Sequence, residues 1–259
     1  MKILLTGHYG FIGSTLWNRL IKAGHNLTGL DIAANGLDNL LYCDFPTDNF
    51  DLVIHLAGKS GVRESLQDPA GYWMNNVEAS RRLFERYGNN TRILYASSSS
   101  AYEPDLNPYA ASKFILEELA ERYNAGNMLG MRFHTVYSDS CPRENMFFNK
   151  LRNGTLEYVT KHYRDFIHLE DILDAIEILI KATHVNGVID IGTGNPVRIQ
   201  NLAPDLPVHL NTPGEREWTC ANTEKMKALG FKPKYTVEKF LTNTGNDNII
   251  NLFNGETTT

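Results

Sequence analysis

The sequence predicts an α/β fold: a doubly wound parallel sheet followed by a small C-terminal lobe. Three observations carry this. A short apolar strand, Lys2 to Thr6, leads into the glycine-spaced turn Gly7-His8-Tyr9-Gly10-Phe11-Ile12-Gly13 and then into an amphipathic helix through Leu16, Leu20 and Ile21. Apolar runs and helical patterns then follow in the order β-α-β-β-α-β-α-β as far as Phe133, as in a parallel sheet covered on both sides. Beyond His134 the pattern loosens into short strands, short helices and prolines. The expected division is residues 1–134 plus about 165–192 for the sheet domain, and about 135–164 with 193–259 for the lobe.

Composition narrows the classes. The chain has 259 residues, enough for a large domain with a lobe, and a formal net charge of −5 with both signs intermixed, which argues against a nucleic-acid partner. Apolar runs are too short for a membrane span, and Met1-Lys2 passes straight into Ile3-Leu4-Leu5, too brief for a secretory signal core. A cytoplasmic location is expected, which suits the scattered Cys43, Cys141 and Cys220 as free thiols. Eight histidines show no ligand spacing, so no metal site is expected.

The elements can be justified in order. In the first turn Gly7 permits a tight bend, Gly10 lets backbone approach a pyrophosphate, and Gly13 allows close helix packing. Phe11 and Ile12 open the helix whose N-terminus would face the phosphates. Strand, glycine turn and helix together predict a Rossmann-type dinucleotide site, with His8 and Tyr9 as loop filler. The second strand, Asn26 to Leu30, ends in Asp31, whose carboxylate can accept from an adenosine ribose diol and repel a 2′-phosphate. No arginine follows in Ile32 to Gly36, so NAD is expected rather than NADP. Asp44 and Phe45 are candidates for adenine contact, with a turn-forming role for Asp44 as the alternative. Asp51 to Gly58 is a strand running into a small-residue loop that sets Leu56 and Ala57 against the cofactor, with His55 packed in the strand. Asn76, in a helix predicted from about 71 to 87, either reaches the cofactor or is an ordinary polar helix residue.

The stretch from Ala96 to Lys113, ASSSSAYEPDLNPYAASK, carries the chemistry. Ile93 to Ala96 reads as a buried strand, which leaves the serines where a strand ends, the place where such sheets bind ligands. Tyr109 and Lys113 are one helical turn apart, hence on one face. A free phenol has a pKa near ~10; an ammonium within ~4–6 Å favours the phenolate and makes it a usable base. A serine hydroxyl upstream can share the substrate's proton. A second Tyr-x-x-x-Lys, Tyr235 to Lys239, lacks the strand and serine run and reads as a solvated helix start. The helix 110–124 carries Phe114, Ile115, Leu116 and Leu119, an apolar surface too broad for one face.

With these residues assembled, the chain resembles the extended short-chain dehydrogenase/reductases of the nucleotide-sugar epimerase/dehydratase family over about residues 1–240. The motifs TGHYGFIGS, HLAG, the serine run, PYAASK, RFHTVYS, RDFIHLEDI and PGEREWTCANTEKMKALGF follow the family order. The segments SGVRESLQDPAGY, ASSSSAYE and RFHTVYSDSCPRENM are most similar to those of UDP-glucuronate 4-epimerases. The resemblance implies NAD kept through the cycle, Tyr109 as base and Lys113 on the nicotinamide ribose. Counted back from Tyr102, the catalytic serine position falls on Ser98, with Ser97 as the near alternative. Arg143 matches an arginine facing the sugar carboxylate, and Thr135 stands where other sugar epimerases have asparagine. The remaining implied substrate contacts are Arg63, Ser99, Ser100, Arg164 and Arg216.

It also implies a UDP-linked nucleotide-sugar substrate and a homodimer joined through helices 71–87 and 110–124. Dehydratases of the family carry Asp-Glu, and decarboxylases a glutamate, near the positions held here by Ser99 and Ser100, so a 4-epimerase is expected. The alternatives are a UDP-glucose or UDP-N-acetylglucosamine 4-epimerase, a dehydratase or decarboxylase, and a non-catalytic dinucleotide-binding protein. Two departures bear on substrate choice: only six residues separate Tyr102 from Tyr109, and Glu103 and Ser138 replace glycines.

Overall fold

Strands buried on both faces read as continuous apolar runs, because helices cover a parallel sheet from either side. The computed structural model, which describes residues 1–139 and 146–243, shows this in β1 (Lys2–Thr6), β3 (Leu52–His55) and β4 (Arg92–Ser98). The chain forms two compact units: Met1–Phe133 with Glu177–Asp190, and His134–Ile176 with the residues from Ile191 on.

In the first unit, β2 (Asn26–Leu30), β1, β3, β4, β5 (Met128–Phe133) and β8 (Gly187–Ile191) lie side by side in that order. The pairs from β2 through β5 are parallel, with Leu5 beside Ile54 and Leu94 beside Leu129. The order reverses between β1 and β3. Strand succession there leaves a crevice beyond the carboxyl ends, where α/β sheets bind ligands.

The helices of this unit are α1 (Phe11–Lys22), the single turn α2 (Ile32–Asn35), α3 (Val62–Gln67), α4 (Pro69–Tyr72), α5 (Ala79–Tyr87) and α6 (Pro108–Asn124). A π-helical turn, Trp73–Glu78, joins α4 to α5, so the helix expected from about 71 to 87 carries an interruption. Between Gly36 and Asp51 no further strand forms, and β2 remains an edge. Leu4, Val53, Ile93, Leu83, Phe84 and Leu116 pack in one core between sheet and helices.

The second unit holds a mixed sheet of β6 (Thr135–Tyr137), β7 (Tyr163–His168) and β9 (Pro196–Arg198). β7 runs parallel to β6 and antiparallel to β9. The sequence reading set residues from about 165 with the nucleotide domain. Their hydrogen-bonding partners at 135–137 and 196–198 instead group them with the second unit as far as Ile176. The remaining helices among the described residues are α7 (Phe147–Arg152), α8 (Leu169–Lys181), α9 (Ile199–Leu202), α10 (Glu224–Ala228) and α11 (Val237–Asn243). Tyr137, Phe148, Phe166, Leu202 and Phe240 form this unit's own core.

Among the described residues no helix is long and apolar enough to cross a membrane. Nor do three or more His, Cys, Asp or Glu converge on a point where a metal ion could bind.

Candidate active site

The glycine turn is shaped by space as much as by dihedral angles. Gly7 has φ +75°, and a Cβ there would sit 2.6 Å from the Ala57 nitrogen, so it is pressed against the loop leaving β3. A Cβ on Gly13 would lie 2.0 Å from the Gly7 carbonyl oxygen, far inside van der Waals contact. Gly13 thus lets α1 close on the turn itself. Gly10 caps α1 with no side-chain hydrogen bond, and the first turn of the helix carries no acidic residue. Its orphan N–H groups, led by Phe11 and Ile12, therefore keep their capacity for an anion. This cradle fits a pyrophosphate.

Asp31 is the N-cap of α2 and joins the cradle to the end of β2. One carboxylate oxygen accepts from the Tyr9 nitrogen at 2.8 Å and the other from the Ala33 nitrogen at 2.9 Å. Each oxygen retains a lone pair, which is what a ribose diol requires. Leu56 donates its N–H to the Thr6 carbonyl at 3.1 Å, and Ala57 donates to the Thr6 hydroxyl at 3.3 Å. Asp44 is exposed; Phe45 packs edge-on to Tyr87, with the Arg82 guanidinium 5.3 Å above its ring. Arg63 is exposed on α3.

His55 is fully buried between Thr6 and Ser80, with its ring nitrogens 2.7 and 2.8 Å from their hydroxyls. Burial, reinforced by the Lys113 charge, pushes its pKa down to about 3, so it is a neutral strut at physiological pH. Ser80 passes the chain on by donating to the Asn76 carbonyl at 2.7 Å.

Asn76 lies in the π turn, and its amide clamps two elements together. Its oxygen accepts from the Lys59 nitrogen at 2.7 Å; its nitrogen donates to the Lys59 carbonyl at 3.0 Å and to the Ser112 hydroxyl at 2.9 Å. Ser112 in turn donates to the Tyr109 carbonyl at 2.8 Å. A Cβ on Gly58 would lie 2.8 Å from the Asn76 oxygen and 3.6 Å from Lys113 Nζ, so the loop after β3 runs directly over both. π turns inside helices recur at functional sites. Here the turn aims an amide that holds the β3 loop to α6.

Tyr109 and Lys113 occupy the first two turns of α6, which Pro108 opens and Asn107 caps through the Ala110 nitrogen at 2.8 Å. Lys113 is buried and donates from Nζ to the Ala96 carbonyl on β4 at 2.9 Å. Burial pushes its pKa down to about 8, against a smaller upward pull from Glu117, and the ammonium form still dominates at neutral pH. Tyr109 is half-buried, its ring edge-on to Tyr72 at 6.1 Å between centroids. Lysine, tyrosine, asparagine and the end of β4 are thus brought together in the first unit.

Successive residues of a strand face opposite ways, and this separates the two candidate serines. Ser97 donates to Glu117 at 2.5 Å, and the same carboxylate is held by Arg132 at 2.8 and 2.6 Å. Ser97 is therefore committed to a buried ion pair. Ser98, one residue on, accepts from the Ser100 nitrogen at 3.1 Å and caps a 3₁₀ turn, Ser99–Tyr102. Ser99 is buried and Ser100 half-buried in that turn.

In the second unit, Thr135 begins β6 opposite Phe166 and is half-buried. Arg164 donates to the Tyr163 and Arg216 carbonyls at 3.0 and 2.8 Å and pairs with Glu215 at 3.2 Å. Its charge is thus already met by a protein carboxylate. Arg216 is half-buried. Arg143 and Cys141 lie outside the described residues. Asp165, fully buried, accepts from the Thr193 nitrogen and hydroxyl at 2.8 and 2.6 Å, and from the Gly194 and Ala221 nitrogens at 2.8 and 2.9 Å. It is the hub that ties β7 to the turn at Gly192-Thr193-Gly194. Tyr235, of the second Tyr-x-x-x-Lys, precedes α11 and stacks on His168 at 4.1 Å.

The family model described as the NAD dependent epimerase/dehydratase family matches residues 3–192. The chain belongs to this family. As a member it is an NAD-dependent enzyme. Among solved structures, MoeE5 in complex with UDP-glucose and NAD superposes with a TM-score of 0.80 at 27% identity, covering 100% of both chains. The UDP-glucuronic acid 4-epimerase of Bacillus cereus, in complex with UDP-glucuronic acid and NAD, gives 0.77 at 25% identity, covering 97% of this chain and 100% of the other. The UDP-glucose 4-epimerase GEPI42 of Cyamopsis tetragonoloba is 26% identical over a 323-residue alignment, covering 92% of this chain and 91% of the relative. That alignment is longer than the 259 residues of this chain, so the relative carries segments absent here.

Residues that the sequence reading passed over are Ser112, Ser80, Glu117 and Arg132. Each acts through a tertiary partner at least fifteen positions away. Only two carried a local sign: Ser112 directly precedes Lys113, and Glu117 follows it by one helical turn.

Proposed function

We propose that this protein is a nucleotide-sugar 4-epimerase that acts on UDP-glucuronate. The observation that carries the epimerase reading is the placement of Lys113. A buried ammonium, fixed on the Ala96 carbonyl one turn beyond Tyr109, lowers the cost of a phenolate on that tyrosine. Tyr109 takes the proton of the sugar 4-hydroxyl, and the Ser98 hydroxyl hydrogen-bonds the same oxygen as it becomes a carbonyl. The glycine turn and the α1 N-terminus would hold the pyrophosphate of NAD, and Asp31 its adenosine ribose. Leu56, Ala57 and Asn76 would line its nicotinamide side, and Asp44 and Phe45 its adenine side. NAD, when bound, would supply a reversible acceptor for the C4 hydride and its return to the other face. The 4-keto sugar turns over before that return, and Tyr109 gives the proton back.

The environment of the serine turn supports epimerisation over elimination. Expelling water or carbon dioxide calls for a further acid or base beside the reacting sugar. Ser99 and Ser100 carry none, and Glu117 is committed to Ser97 and Arg132. The acid substrate rests on Thr135 and on Arg63, Arg143 and Arg216 as carboxylate or phosphate partners, with charge-assisted bonds about twice as strong as neutral ones.

Turnover of UDP-glucuronate, UDP-glucose and UDP-N-acetylglucosamine, measured side by side, checks this. The acid sugar should be preferred by about tenfold or more, since one unmet buried polar group costs about 1–3 kcal/mol. A neutral sugar in first place would move the substrate to the glucose type and leave the chemistry standing. No turnover of any sugar nucleotide would favour a non-catalytic dinucleotide-binding role.

The protein is further expected to be a homodimer through helices 71–87 and 110–124, on which Phe114 and Ile115 stay only half-buried in the single chain. Light scattering at micromolar concentration should give the mass of two chains. The mass of one chain with full activity would overturn this.

A further inference from the structure

A chain of side chains outside the reacting groups runs across the ends of three strands in the first unit. Glu117 on α6 holds Ser97 of β4 and the guanidinium of Arg132 on β5. That guanidinium lies 4.2 Å from the centroid of the Tyr102 ring. The Tyr102 hydroxyl then donates to the Asp190 carboxylate on β8, 3.1 and 3.0 Å from its two oxygens. Glu117 and Asp190 are both buried, whereas Tyr102 is 45% exposed. A half-exposed side chain is thus gripped at its face by a cation and at its tip by a buried anion.

Tyr102 is the last residue of the 3₁₀ turn that Ser98 caps. The Ser100 nitrogen donates to Ser98 Oγ, and the Glu103 nitrogen closes back on the Ser100 carbonyl at 3.1 Å. Only residues 103–107 then separate the turn from α6, whose start is fixed by Asn107. Ser98 and Tyr109 are therefore the two ends of one short connection, anchored by Asn107 at the tyrosine end and by Tyr102 at the serine end. We propose that Tyr102 is a positioning residue: locked between Arg132 and Asp190, it holds the serine turn so that Ser98 meets the same substrate oxygen as Tyr109. The proposal rests on the reading of Ser98 and Tyr109 as the reacting pair. Burial and the Asp190 charge raise the Tyr102 phenol's pKa, which keeps it a donor throughout the working range.

Tyr102→Phe keeps the ring over Arg132 and removes the hydroxyl, with its bonds to Asp190 and to Arg132. Because a bond to a charged group is being lost and positional errors are amplified in the rate, kcat with UDP-glucuronate or UDP-glucose should fall about tenfold, while KM and NAD retention stay within about twofold. Asp190→Asn keeps an acceptor for the phenol and should lose much less kcat than Asp190→Leu. Amide exchange gives a readout that needs no turnover. The Ser100 amide should exchange about tenfold faster in Tyr102→Phe, with Ile93 and Leu94 of β4 unchanged.

Unchanged exchange at Ser100 together with unchanged kcat overturns the proposal. So does a loss shared equally by kcat, KM and melting temperature, which would mark Tyr102 as general scaffolding. Faster exchange at Ser100 in a protein whose wild type turns over no sugar nucleotide would uphold the bracing of the turn and refute the epimerase reading instead.

Discussion

Replacing Tyr109 by phenylalanine should lower turnover by at least ~10², the usual share of a general base, with NAD still bound and the fold intact. The ring sits half-buried beside Tyr72, and a phenylalanine keeps that edge-on contact. What disappears is the proposed base, one turn before Lys113. Neither Ser98 nor Lys113 can substitute. The serine has no base beside it among its observed partners, and the lysine, mainly charged at neutral pH, is held on the Ala96 carbonyl. The control lies within the same chain. Tyr235→Phe removes a hydroxyl from the other Tyr-x-x-x-Lys, where the ring stacks on His168 ahead of α11, and should leave turnover within about twofold. Steady-state rates of the two variants decide the matter. Equal losses would remove Tyr109 from its role.

Gly13→Ala should damage the protein more broadly. The added carbon would fall 2.0 Å from the Gly7 carbonyl oxygen, 2.9 Å from its carbon and 3.0 Å from the His8 Cα. All three are backbone atoms of the tight turn, so no side chain can swing aside. Either α1 lifts from the turn or the turn deforms, and both move the helix N-terminus away from the phosphates. Overpacking of this kind costs about 1–3 kcal/mol and more where backbone must shift; for a chain of this size that is a fall in melting temperature of roughly 5–10 °C. NAD should no longer survive purification. Gly126→Ala is the comparison, since its Cβ would meet only Asn124 Oδ1 at an ordinary 3.6 Å. A Gly13→Ala protein that keeps its NAD and melts with the wild type would contradict this account of the turn.

Much of the first unit was legible in the sequence because its signals are local. A strand of β1 type, three glycines at fixed spacing and an apolar helical stripe each declare themselves within a dozen residues. β2 falls on the residues the sequence marked as the second strand, Asn26–Leu30. Asp31 stood out as a candidate because it follows a strand end directly, and Tyr109 with Lys113 because a buried strand and a serine run precede a pair that helical spacing puts on one face.

Tertiary structure decided what depends on partners far along the chain. From sequence, Ser97 and Ser98 differ by a single step; the fold separates them, because alternation on β4 turns Ser97 toward Glu117 and Arg132. Asn76 read from sequence as a cofactor contact, with an ordinary polar helix residue as the alternative. Its clamp between Lys59 and Ser112 exists only because the π turn and the β3 loop meet α6 there. Strand β7 was invisible as a strand, since its residues alternate poorly and its partners lie near 135 and 197. Periodicity records which face of an element is buried. It holds no record of which distant residue that face meets, and the bonds from Asn76 to Lys59 and Ser112, from Lys113 to Ala96 and from Glu117 to Ser97 and Arg132 are of that second kind.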